Sequence, residues 1–83
     1  MKIAIVGLGY VGLPLALQFA RSGVNVCGID VDARKVQALA AKQSYIKHIS
    51  AAAIAEQVDS GRLSATIDFA EVATVEAVII CVP

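Results

Sequence analysis

Tryptophan is absent from this chain of 83 residues, histidine occurs once, and tyrosine and phenylalanine occur twice each. So few rings, with seven basic side chains balanced by seven acidic ones to a net charge of zero, leave no basic stripe and no stacking set for a nucleic-acid partner. Cysteine is limited to Cys27 and Cys81, which lack C-x-x-C or metal-ligand spacing and have only His48 for company. That excludes a disulfide framework and gives no metal site; both read as reduced core thiols in buried strands, as suits a cytoplasmic protein. Neither stands in an electropositive, exposed setting of the kind that activates a nucleophile. Proline is confined to Pro14 and Pro83, and no repeat, low-complexity run or linker interrupts the chain.

Charge is also missing from Ile3 to Ala20, where Gln18 is the one strongly polar side chain. A signal peptide or membrane span is one reading of such a stretch. Against it stand Gly7, Gly9, Gly12 and Pro14, the lack of an A-x-A-like cleavage site, and a length at the short limit of about 18 residues for spanning. A hydrophobic strand followed by a hydrophobic helix gives the same hydropathy profile, so no membrane partner is expected.

What is present is the run Ile3-Ala-Ile-Val-Gly7-Leu-Gly9-Tyr-Val-Gly12, an apolar strand leading into G-x-G-x-x-G and then a helix. Gly7 lets the chain turn off the strand, Gly9 lets backbone approach a phosphate, and Gly12 lets the helix pack closely on the sheet. A pyrophosphate would sit at the helix N-terminus, where free N–H groups and the positive end of the dipole favour an anion. Three glycines alone are a weak signal. A second apolar run, Val24-Asn-Val-Cys-Gly-Ile29, strengthens it by ending in Asp30, 18 residues beyond Gly12, where the fingerprint places a carboxylate for the adenosine ribose. The plainer alternative for Asp30 is a helix N-cap, and it could do both jobs, although Asp32, just before Ala33, is a separate candidate for the cap. A carboxylate at Asp30 favours NAD, because it would repel the 2′-phosphate of NADP. Arg34 and Lys35 either hold such a phosphate, neutralise the adenosine end of the site, or form a solvated helix face.

The pattern predicts strand 2–6, a helix near 10–22, strand 24–29, helix 33–41, a polar stretch, helix 50–59, a short strand near 64–67, a helical turn near 69–73, and a buried strand 76–82. Gly23 and Gly61 fall where helices one and three should close. Pro14 lies in the opening turn of the first helix, where its missing N–H has no helical partner. The fold class is α/β, a Rossmann-type doubly wound parallel sheet with strand order 3-2-1-4, and ligand should lie across the switch point between strands one and four. Pro83 would open the loop nearest the cofactor. At 83 residues, with 58% hydrophobic composition and an apolar run at its end, the chain is expected to be the N-terminal part of a larger dinucleotide-binding domain. Its uncovered apolar edge should make it self-associate.

Gly7-Leu-Gly-Tyr-Val-Gly-Leu-Pro14, with Leu15-Ala16, Asp30, Lys35-Val36 and Ile79-Ile-Cys-Val-Pro83, resembles the N-terminal domain of the UDP-glucose/GDP-mannose dehydrogenase family over the whole chain. Ser44-Tyr-Ile-Lys-His-Ile49 is similar to the UDP-N-acetylglucosamine 6-dehydrogenase branch. The resemblance implies a cytoplasmic enzyme, homodimeric through a central region, that oxidises the C6 alcohol of a nucleotide sugar to a carboxylate in two NAD-dependent hydride transfers, for polysaccharide biosynthesis. It places cofactor contacts on Gly7, Gly9, Tyr10, Val11, Gly12, Asp30, Lys35 and Arg34. It also implies that the cysteine nucleophile and its lysine lie beyond position 83, so no catalytic residue is expected here and Cys81 is not that nucleophile. Tyr45, Lys47 and His48 would border the cleft between cofactor and sugar nucleotide, or form a solvated connector. Other readings remain: a 3-hydroxyacyl or 6-phosphogluconate type dehydrogenase, whose fingerprint lacks the Tyr-Val-Gly-Leu-Pro run, or a non-catalytic nucleotide-sensing module, which fold alone does not separate.

Overall fold

The computed structural model describes residues 1–82, so the expectation for Pro83 lies outside the described residues. Four short runs form β1 (Lys2–Val6), β2 (Asn25–Ile29), β3 (Leu63–Thr66) and β4 (Ala77–Ile80), of which β1 and β4 are the richest in β-branched residues. They pair in one parallel sheet of order β3-β2-β1-β4, the order expected of a strand–helix alternation with a switch point between β1 and β4. The register sets Val6 beside Ile29 and Ile80, and Ile29 beside Thr66, so all four C-terminal ends lie along one rim.

Between the strands run α1 (Gly12–Arg21), α2 (Ala33–Ala40) and α3 (Ala51–Asp59), followed by a 3-10 segment at Phe69–Thr74. Alternation along β1 sends Ile3 and Ile5 to one face, where they meet Leu13, Leu17 and Ala20 of α1, Leu39 of α2 and Ile54 of α3. Burying each of the large aliphatic side chains contributes about 1.5–3 kcal/mol, which makes this the main core. The other face carries a smaller cluster, Ala4, Cys27 and Ile29 with Val6 and Val75, under the 3-10 segment.

Caps explain most boundaries. The Asp32 carboxylate accepts from the Arg34 N–H at 3.0 Å to open α2, and the Ser50 hydroxyl accepts from the Ala53 N–H at 3.1 Å to open α3. Gly23 and Gly61, both at positive φ, follow the ends of α1 and α3. Pro14 is the third residue of α1, inside the first turn.

Two expectations need correction. Helix α1 begins at Gly12 rather than 10, because Tyr10 belongs to the turn and Val11 flanks the helix as its N-cap. Strand β4 is shorter than 76–82 and is not buried: it pairs only with β1, and Val78 and Ile80 are 44% and 70% exposed, because the small cluster on their side of the sheet, around Ala4, Cys27 and Ile29, does not cover them. Cys81 consequently sits just past β4, half-buried, while its N–H still donates to the Val6 carbonyl at 2.7 Å. Cys27 is buried as expected, and that burial pushes its thiol pKa up.

Candidate functional site

The glycine-rich turn between β1 and α1 is shaped by what each glycine leaves out. At Gly12 a Cβ would come within 1.6 Å of the Gly7 carbonyl oxygen, so the first turn of α1 is pressed directly on the turn leaving β1. Gly7 has φ +96°, and a Cβ there would meet the Cys81 carbonyl at 2.7 Å. At Gly9, by contrast, a Cβ would find only the Lys35 Nζ, 4.0 Å away. That space is open to a ligand.

Helix α1 also differs from α2 and α3 in having no side-chain cap. The N–H groups of Gly9, Tyr10, Val11 and Gly12 meet no acceptor among the described residues. Several unpaired donors at the positive end of a helix form an anion site.

A cleft of about 610 Å³ opens at the rim of strand ends, lined by Gly7, Gly9, Tyr10 and Val11 from the turn, Asp30 and Lys35 from the β2 side, and Phe69, Cys81 and Val82. It spans the switch point between β1 and β4, where the topology directs a ligand. A second cleft of about 410 Å³ shares Gly9, Tyr10, Asp32 and Lys35 and adds Arg34, Tyr45 and Ile46.

Asp30 is only 8% exposed. Its Oδ2 accepts from the Leu8 N–H and its Oδ1 from the Asp32 N–H, both at 2.8 Å. It therefore caps nothing in α2, whose N-cap is Asp32, and instead ties the end of β2 to the glycine-rich turn. Each carboxylate oxygen keeps a lone pair for a further donor. Lys35 Nζ stands 4.0 Å from Asp30 Oδ2, between the acid and Gly9. Arg34 is turned to solvent, where its guanidinium pairs with Asp32 at 3.2 Å. The Arg34 side chain and backbone hydrogen bonds hold the Asp32 carboxyl below its usual pKa, and Asp32 raises that of Arg34.

The structure thus gathers Gly7, Gly9, Tyr10, Val11, Asp30 and Lys35 around the main cleft, sets Gly12 beneath it, and leaves Arg34 at the border of the second. The polar cluster of the α2–α3 connection divides: Tyr45 lines the second cleft, whereas Lys47 and His48 are exposed and line neither. Leu8 and Gly28 were not anticipated. Leu8 is fully buried, and a Cβ on Gly28 would come within 2.7 Å of its Cδ2. A glycine inside an apolar strand was the available signal, since it marks a close approach.

Fold and site together define a Rossmann-type dinucleotide-binding domain. Residues 1–83 match the NAD binding domain of the UDP-glucose/GDP-mannose dehydrogenase family, and the chain belongs to that family. It is similar to UDP-glucose 6-dehydrogenase of Haloferax volcanii, with 34% identity over 83 residues, 100% of this chain and 19% of the relative. Over 36 residues, 43% of this chain and 8% of the relative, it is 56% identical to UDP-N-acetyl-D-glucosamine 6-dehydrogenase of Salmonella typhi. Among solved structures, a ternary complex of GDP-mannose dehydrogenase from Pseudomonas aeruginosa superposes with a TM-score of 0.91 and 33% identity, covering 100% of this chain and 20% of that one. The chain thus spans about a fifth of the length of these relatives. NAD is the cofactor of the domain, and the residues fit it: open space at Gly9, unpaired donors at α1, and a nearly buried acid at the end of β2.

Proposed function

We propose that this chain is the N-terminal, NAD-binding part of a nucleotide-sugar 6-dehydrogenase acting on UDP-N-acetylglucosamine or a related UDP-hexose. The observation that carries the sugar assignment is the 56% identity over 36 residues to an enzyme named for that substrate. Relatives named for UDP-glucose and GDP-mannose make the dehydrogenase class broader than the sugar.

In this reading the N–H groups of Gly9 to Gly12 receive the pyrophosphate, with Tyr10 and Val11 flanking it and Gly7 shaping the turn. Asp30 accepts from the ribose hydroxyls while holding Leu8. Lys35 offsets the charge of pyrophosphate and acid together, and Arg34 lies at the edge of the adenosine end. When bound, NAD supplies the hydride acceptor for two successive oxidations at C6. The nucleophile for that chemistry belongs to a region beyond residue 83, and the enzyme works in the cytoplasm, as a homodimer, supplying uronic acids for polysaccharide.

The test is NADH formation by the full-length protein on a panel of UDP-N-acetylglucosamine, UDP-glucose, UDP-N-acetylmannosamine and GDP-mannose. Preferential turnover of the first, with two NADH per uronate, supports the assignment. Preference for GDP-mannose would overturn the sugar, and failure to bind NAD would overturn the site.

A further inference from the structure

We propose that Tyr45 is a positioning residue for cofactor binding: its hydroxyl holds the Leu8 carbonyl so that the Gly9 N–H of the same peptide is aimed at the pyrophosphate. The proposal rests on the assignment of the glycine-rich turn as the phosphate site. Tyr45 lies on the connection between α2 and α3, with its ring against the main core and its O–H donating to the Leu8 carbonyl at 2.5 Å. A trans peptide is planar, with its C=O and N–H pointing in opposite directions. Fixing the Leu8 oxygen toward Tyr45 therefore directs the Gly9 N–H away from Tyr45, and no protein acceptor among the described residues takes it.

That plane has little else to hold it. Gly9 has no Cβ to restrict its backbone, and beyond its two chain neighbours the nearest atom to where one would be is Lys35 Nζ, 4.0 Å away. The preceding peptide is held separately, because Asp30 Oδ2 accepts the Leu8 N–H, which leaves the Gly7 oxygen facing Gly12. Leu8 is thus gripped at its N–H, its carbonyl and its buried side chain, and Tyr45 supplies the one grip adjoining an unpaired donor. Burial, with the negative charges of Asp30 and Asp32, pushes the phenol pKa up, so the hydroxyl stays a donor well into alkaline pH.

Tyr45→Phe keeps the ring and removes only the hydroxyl. In the full-length protein, titration with NADH followed by the cofactor's own fluorescence should show a Kd raised about five- to tenfold, the scale of one lost hydrogen bond. KM for NAD should rise with kcat and the sugar KM unchanged. Lys47→Ala, on the same connection but outside both clefts, should leave Kd at the wild-type value. A wild-type Kd for Tyr45→Phe, measured well below its melting temperature, would overturn the proposal even if that temperature had fallen, because Tyr45 would then act through packing alone. Wild-type protein that fails to bind NADH would instead overturn the assignment of the turn itself.

Discussion

The two faces of the sheet are built from the same strands yet differ in cover. On one, α1, α2 and α3 close over Ile3, Ile5, Val26 and Leu63, leaving none of them exposed. On the other, the 3-10 segment shelters Ala4, Cys27 and Ile29, but Val78 and Ile80 stand open, as do Phe69 and Val72 of the segment itself. Parallel sheets are ordinarily covered on both faces, since their strands are apolar in both directions. Among the described residues, the covered face carries the core, holds α1 against the glycine-rich turn, and thereby sets the anion site.

The sharpest test of that placement is Gly12→Ala. Its methyl would collide with a backbone oxygen rather than a side chain, so α1 must lift from the sheet, at a cost of about 3 kcal/mol or more, with loss of NADH binding. Denaturant unfolding and titration together would check it; unchanged stability would break the argument that α1 is pressed on the turn. A paired comparison comes next. Leu17→Ala, beneath α1, should cost about 2–5 kcal/mol, whereas Ile80→Ala on the open face should stay within about 0.5 kcal/mol. Equal losses would mean that the open face is packed after all. Ile80→Lys should reduce self-association of the 83-residue chain, by removing an apolar side chain from the open face of an edge strand, without lowering its melting temperature. Size-exclusion chromatography showing an equally monomeric parent would remove that expectation.

The smallest effect concerns pH on the covered side. Asp32 has a folded pKa below its ordinary 3.8, held there first by its hydrogen bonds to Arg34. A carboxyl of this kind contributes stability that is complete above the unfolded pKa and is lost as pH falls through the folded one. Wild-type and Asp32→Asn melting temperatures should therefore differ slightly at neutral pH and converge in acid below the ordinary carboxylate range. A gap that widens in acid would reverse the sign.

Much of this was legible in the chain itself, for physical reasons. Strand, glycines, helix, strand and acid occupy 30 consecutive residues, and alternation or capping within such a segment is local information. The strand order followed from the strand–helix alternation, and the cap at Asp32 from residue type. Exposure of β4 was not legible, because an apolar run reports hydrophobicity and not whether a neighbour covers it. Nor was the second task of Asp30: its place at the end of β2 can be read, but its bond to Leu8 spans 22 residues. Tyr45 reaches Leu8 across 37 residues, and no periodicity separates it from Lys47 and His48, which turn to solvent.

Gly28 and Leu8 have a consequence for how this sequence can change. The missing side chain in the middle of β2 is the seat of the Leu8 side chain, so neither position varies freely while the other stays. Alanine at 28 should be tolerated only with a shorter residue at 8, and the double substitution should be milder than the sum of the two single ones. The two sites, 20 positions apart, form one heritable unit that joins a strand to a loop.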